Sequence, residues 1–157
     1  MNPIIKLLPK ILVWTELAGI IITVAGMLFK VFNYTGFGSL LMVGIMTLAT
    51  TYFLSAYTVV ELPQSNEKSS FADLLPLILR KVMFIGLAVY WVGFLFAILH
   101  LKGANEMITI GMGTLVIGAA VAMVLVLGRR ERMVALRDPL LRTVATLLFY
   151  FTLPFFK

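Results

Sequence analysis

The sequence predicts an all-α integral membrane protein made of two tandem, parallel two-helix hairpin repeats, four transmembrane helices in all, followed by a fifth, C-terminal helix. Three observations predict it. Hydrophobic residues make up 61% of the 157 residues and charged residues 13%, against roughly 45–50% and about 25% in soluble domains. Apolar runs of the ~20 residues that a bilayer crossing requires lie at 11–32, 39–60, 82–101 and 107–127, with a shorter run at 140–156. Finally, Gly26, Leu28, Phe29, Gly36, Gly44, Thr47 and Leu48 recur as Gly93, Leu95, Phe96, Gly103, Gly111, Thr114 and Leu115 at one constant offset of 67, with Asn33 matched to His100. An offset that survives a helix, a turn and a second helix indicates a duplicated hairpin. The chain divides into a first hairpin (9–60), a cytoplasmic linker (61–71), a second hairpin (72–127) and a basic loop with the C-terminal helix (128–157).

At the N-terminus, Asn2 before Pro3 places a capping side chain ahead of a proline at the first helical position, which predicts a short interfacial turn over 4–8 that Pro9 interrupts. Lys6 and Lys10 precede the first apolar run as in a signal peptide. That run is too long for a signal sequence and no small-residue cleavage site follows it, so a retained helix is expected. On this first helix Glu16, Gly19, Thr23, Gly26, Lys30 and Asn33 are spaced three or four apart and therefore share one face. Gly36 and Gly38 form the outer turn. The second helix carries Gly44, Thr47, Thr51, Ser55 and Thr58 on one stripe. Lipid tails give helices no hydrophobic reason to associate, so small residues and hydroxyls are what such pairs use.

The linker Glu61 to Ser70 is the only markedly polar loop. Ser70 with Asp73 three residues on predicts a capping box, and Pro76 repeats the break of Pro9 at the same offset. Helix three replaces the first stripe by Met83, Gly86, Tyr90, Gly93, Ala97 and His100. Helix four offers Gly111, Thr114, Gly118, Ala122 and Leu125, so the second copy reads as the tightly packed one and the first as the one that keeps ionisable groups. The stretch 128–142 then carries five arginines against Glu131 and Asp138. A fifth span over 140–156 is expected, with Arg142 snorkelling to the inner interface, the alternative being an interfacial helix.

Several function classes are excluded by composition. Without cysteine there are no disulfides, thiolate metal sites or thiol nucleophiles. The net charge of +6 does not indicate nucleic acid, because the basic residues flank apolar spans. With the N-terminus inside, ten of the thirteen lysines and arginines lie on the inner side and only Lys30, Lys102 and Lys157 outside, which by the positive-inside rule makes the N-terminus cytoplasmic.

The pattern Gly-x-Leu-Phe-Lys, a glycine-centred turn, Gly-x-x-Thr and then Ser-Ala-aromatic resembles the membrane hairpin of the GldL family, the inner-membrane motor subunit of gliding motility and type IX secretion. Gly26, Leu28, Phe29, Lys30, Gly44, Thr47, Ser55, Ala56 and Tyr57 carry it in the first copy. In the second copy Gly93, Leu95, Phe96, His100, Gly103, Ala104, Asn105, Gly111 and Thr114 do. The resemblance implies the hairpin fold and a bacterial inner (cytoplasmic) membrane location. The positions that would correspond to that family's acidic residue, thought to act in proton-driven rotation, are Leu48 and Leu115. The family's long cytoplasmic region is missing as well.

Candidate residues fall in three groups. The polar seam of the first hairpin consists of Glu16, Thr23, Lys30, Asn33, Thr47, Thr51 and Ser55. Glu16 stands out because an acid in the middle of a span costs about 2.5–3.5 kcal/mol on insertion scales. It is either shielded within the bundle or an inner-interface residue in water or paired with a base. The outer turn holds His100, Lys102 and Glu106. One histidine and one carboxylate make a poor metal site, and Glu106 reads better as a carboxylate favoured at a helix N-terminus. The third group, Arg129, Arg130, Arg132 and Arg137, acts as a topology signal or as a patch for anionic inner-leaflet lipid or a partner.

No nucleophile and base pair, no phosphate loop and no paired carboxylates appear, so no enzyme activity and no cofactor are expected. The reading is a non-catalytic membrane scaffold or accessory subunit, in contact with lipid and with further copies or other membrane subunits and not with nucleic acid. The alternative is a proton- or ion-coupled element that uses Glu16 and the seam.

Overall fold

The computed structural model describes residues 3–58, 71–128 and 133–150. These form five helices, α1 (Pro3–Val31), α2 (Phe37–Ser55), α3 (Phe71–Ile98), α4 (Ala104–Gly128) and α5 (Met133–Tyr150), and among the described residues there is no strand. Four segments are long and apolar enough to cross a membrane: Pro9–Val31, Phe37–Ser55, Leu74–Ile98 and Ala104–Leu125. The protein is a multi-pass membrane protein of helical-bundle type. The polar linker 61–70, the capping box expected at Ser70, the cap expected at Asn2, residues 151–157 and Arg129, Arg130 and Arg132 lie outside the described residues.

Each hairpin is closed by the same turn, and the turn explains why asparagine and histidine occupy matched places. Asn33 and His100 both adopt left-handed backbone, with φ of 56° and 55°. The N–H of Asn33 donates to Lys30 O (3.1 Å) and that of Tyr34 to Phe29 O (2.9 Å). In the second copy His100 donates to Ala97 O (3.2 Å) and Leu101 to Phe96 O (2.8 Å). This pair of bonds, one reaching back three residues and one reaching back five, is the Schellman closure that satisfies carbonyls at a helix C-terminus. Gly36 and Gly103 follow at φ of 91° and 87°, a conformation that costs glycine least. The chain then enters the next helix, with Leu40 N–H bonded to Gly36 O and Met107 N–H to Gly103 O.

Helix packing repeats at the same offset. A Cβ on Gly44 would stand 2.6 Å from Thr23 N, and one on Gly111 2.7 Å from Tyr90 N. Gly26 abuts Leu41 as Gly93 abuts Ile108, and Gly19 abuts Leu48 while Gly86 meets Thr114 and Leu115. Backbones this close need glycine on the contact face, the usual device where van der Waals packing must replace the hydrophobic effect. Gly118 rests against Met83, and Ala122 is fully buried, so the small-residue stripes of the second copy do face other helices. The remaining faces expose Ile, Leu, Val and Phe as a lipid-facing surface requires.

The hairpins join through α2 against α3, and α3 also packs on α4 and α5. The main core lies between α2 and α3, where Ile45, Tyr52, Leu87, Trp91 and Phe94 are buried together. A second cluster of Leu79, Met83, Ala122 and Leu136 seats α5 on the α3/α4 groove.

Three sequence expectations are corrected. Pro9 and Pro76 do not break the chain, because α1 and α3 run through them. A proline deprives only the carbonyl four residues back of its donor, and in membrane proteins neighbouring groups make up such losses. Phe71, placed in the linker by the sequence, already belongs to α3. The fifth helix begins at Met133, earlier than residue 140, and it passes through Pro139. With Arg137, Asp138 and Arg142 along it, its described length is not among the helices apolar enough to span.

Candidate functional site

Glu16 of the first hairpin meets two arginines of other helices towards the end of the bundle where α1 begins. Glu16 lies seven residues past Pro9, about 10 Å along α1 at 1.5 Å per residue, on the face turned from lipid. Its side chain is 13% exposed and is ion-paired with Arg142 of α5, Nη2 to Oε2 at 2.7 Å. Arg142, expected to snorkel toward the inner surface, spends its guanidinium on the Glu16 carboxylate, and a charge inside a bundle is tolerated when it is paired.

Aromatic rings enclose the pair. The Arg142 guanidinium lies 5.8 Å from the ring centre of Tyr52 on α2 and 5.3 Å from that of Phe84 on α3. Tyr52 is buried, and its hydroxyl is within electrostatic reach of the Glu16 carboxylate. Arg80 of α3 stands 5.1 Å from the same Phe84 ring. Arg80 also closes the end of α2, donating through Nη1 to Thr58 O (2.9 Å) and through Nη2 to Thr58 Oγ1 (2.8 Å). Asp138, exposed on α5, is near enough to act on the Arg80 charge. Glu16, Asp138, Arg80 and Arg142 thus sum to zero charge, the condition under which a desolvated cluster is least costly. Cation–π contacts of this kind reach about 2 kcal/mol when desolvated.

The hydroxyls of the seam are packed rather than displayed. Thr23 Oγ1 donates to Gly19 O (2.7 Å), Thr47 Oγ1 to Val43 O (2.8 Å), Thr51 Oγ1 to Thr47 O (2.8 Å) and Ser55 Oγ to Thr51 O (2.8 Å). One contact crosses between helices: Thr51 Oγ1 lies 3.2 Å from Thr15 Oγ1. Thr23, Thr51 and Ser55 are buried, and Glu16 is partly buried. Lys30 and Asn33 sit at the opposite end of α1, the first half-buried and the second exposed as the turn residue. The seam is therefore two separate features, an inner ionic cluster and an outer cap.

The outer-turn group resolves similarly. His100 is the left-handed cap of α3 with its side chain exposed, Lys102 is exposed, and Glu106 stands in the first turn of α4, where the helix dipole favours a carboxylate. Of the arginine patch, Arg137 is described and exposed.

Sequence reasoning missed Arg142, Arg80, Tyr52 and Phe84 as members of the site. Both arginines were read as topology signals. The available signal was Glu16 itself, since a buried acid requires a base, and Arg142 stands inside the apolar run 140–156. No protein-family model, curated protein or solved structure matches the chain.

Proposed function

We propose that the protein is a non-catalytic membrane scaffold or accessory subunit, in which the inner charge cluster holds α5 against both hairpins. The observation that carries this reading is the 2.7 Å pairing of Glu16 with Arg142 inside a cage of Tyr52 and Phe84. A carboxylate paired with a guanidinium between two helices ties those helices together, and the neighbouring hydroxyls are spent on carbonyls of their own helices. Leu48 and Leu115, at the places where the GldL family carries its acid, are buried and apolar, so neither offers an ionisable group for motor chemistry. The charge asymmetry of the loops favours a cytoplasmic N-terminus in a bacterial inner membrane. Exposed Arg137 and the arginines before α5 suit contact with anionic headgroups.

Reconstitution tests the reading. Proteoliposomes carrying the wild type or Glu16→Gln are expected to show the same proton permeability, while Glu16→Gln melts at a lower temperature in detergent. Proton flux that depends on Glu16 would replace the scaffold with the ion-coupled element, for which the shielded position of Glu16 is the supporting observation.

A further inference from the structure

Exposed aromatic side chains are unevenly placed. Among the described residues Trp14, Phe29, Phe32, Tyr34, Phe53 and Tyr57 are 41% to 71% exposed, and all of them belong to the first hairpin. Their counterparts at the repeat offset are Lys81, Leu99, Leu101, Ala120 and Val124, with Phe96 alone keeping a ring, half-buried. The exposed rings also fall at two levels. Trp14 and Phe32 stand five turns apart on one face, about 27 Å at 1.5 Å per residue. Phe32 lies one residue beyond α1, but its N–H still donates to Leu28 O (3.0 Å). Phe29 and Phe32 gather there around Tyr34, with ring centres 5.5 Å and 6.4 Å from its own. At the other level α2 supplies rings. Thr23 faces Gly44 and Gly19 faces Leu48, so each step along α1 is a step back along α2, and Phe53 comes level with Trp14. Tyr57, one turn further, has its ring centre 5.4 Å from that of Phe53. Between the levels the exposed side chains, such as Leu17, Ile21, Val24, Met42 and Met46, carry no ring.

We propose that these rings are two girdles that seat the first hairpin in the bilayer, one at each boundary between acyl chains and headgroups. The partner they fit is lipid. A protein partner would be met by aromatic anchors near the centre of one patch, whereas here the centre is aliphatic. The rings instead stand about 27 Å apart, close to the roughly 30 Å of a hydrocarbon core. Trp and Tyr favour that boundary because the apolar ring and the polar N–H or O–H each reach their own solvent there. Lysines stand at the same level as the first girdle: Lys81 holds the place of Trp14, and Lys10 is level with Tyr57. Both are exposed, as long stems that carry their charge to headgroups require. The girdle also fixes the depth of the ion pair. Glu16 lies two residues from Trp14, about 3 Å along α1, so its contact with Arg142 sits at the rim of the hydrocarbon and not at its middle.

The two tryptophans supply the test, since Trp14 is 71% exposed and Trp91 8%. In proteoliposomes of Trp91→Phe, lipid carrying a nitroxide near the glycerol is expected to remove most of the remaining emission, and lipid carrying it at the chain end little. In Trp14→Phe the remaining emission is expected to respond weakly to both, which reads the same contrast against the wild type if Trp91→Phe folds poorly. Added to Trp14→Phe, Phe32→Trp is expected to restore the shallow quenching, and the mid-span Ile21→Trp to bring deep quenching instead. Quenching at position 14 or 32 that is as strong from the chain end as from the glycerol would overturn the proposal. So would an absence of quenching from either depth at position 14, the result expected under a protein cover.

Discussion

The two hairpins share a backbone and differ in what surrounds it. Their turns, caps and glycine contacts coincide at one offset, yet 61% of the spanning window of α3 is buried inside the protein and only 28% of that of α1. The stripe residues changed accordingly. Where α1 has Glu16 and Thr23, α3 has the fully buried Met83 and Tyr90. Duplication kept the residues whose geometry admits no substitute and released those whose role depends on neighbours. The acid survives in the copy whose groove receives an arginine, and the thioether stands where α5 packs with apolar side chains.

That comparison can be broken most severely at the ion pair. Arg142→Ala leaves Glu16 buried and uncompensated and is expected to cost about 3–5 kcal/mol, read as a loss of thermal stability in detergent. Glu16→Met combined with Arg142→Met, which gives the first hairpin the residue of the second, is expected to recover most of that loss. Additive losses would show that the two groups do not act as a pair.

Next in size are the shared glycines. Gly44→Ala and Gly111→Ala place a methyl 2.6 Å and 2.7 Å from backbone nitrogen across the hairpin, and overpacking of this kind costs about 1–3 kcal/mol. The same melting measurement should give nearly equal penalties in the two copies. A difference of more than twofold would mean that the hairpins are less alike than their contacts. At the caps, His100→Asn is expected to be neutral, while His100→Val should cost about 1–3 kcal/mol because a β-branched residue is strained in left-handed backbone. The smallest effect is expected for Thr23→Val, where an average membrane hydrogen bond of about 0.6 kcal/mol is at stake and the bond in question lies within one helix.

Much of this architecture was legible in the sequence because spans, turns and repeats are local. Run length marks the four apolar helices, and the offset linking Gly26 to Gly93 and Gly44 to Gly111 foretells contacts that recur in the structure. The site was legible only in half. Glu16 could be singled out by its cost, but its partner is 126 residues away on a helix whose charges argued for the interface, and no periodicity connects them. Pro9 and Pro76 misled because proline is a breaker in water and a tolerated irregularity in a bundle. His100 looked chemical by residue type, whereas its backbone angle explains its place next to Asn33 in the alignment of the copies.

The separation of Glu16 from Arg142 also sets an order of events during biosynthesis. At about 5–20 residues per second of synthesis, the arginine is made roughly 6–25 s after the acid. Through that interval the first hairpin is without the arginine that pairs with its carboxylate in the finished bundle. Arrival of α5 supplies the partner, so a chain stalled before Arg142 leaves the acid of α1 unpaired.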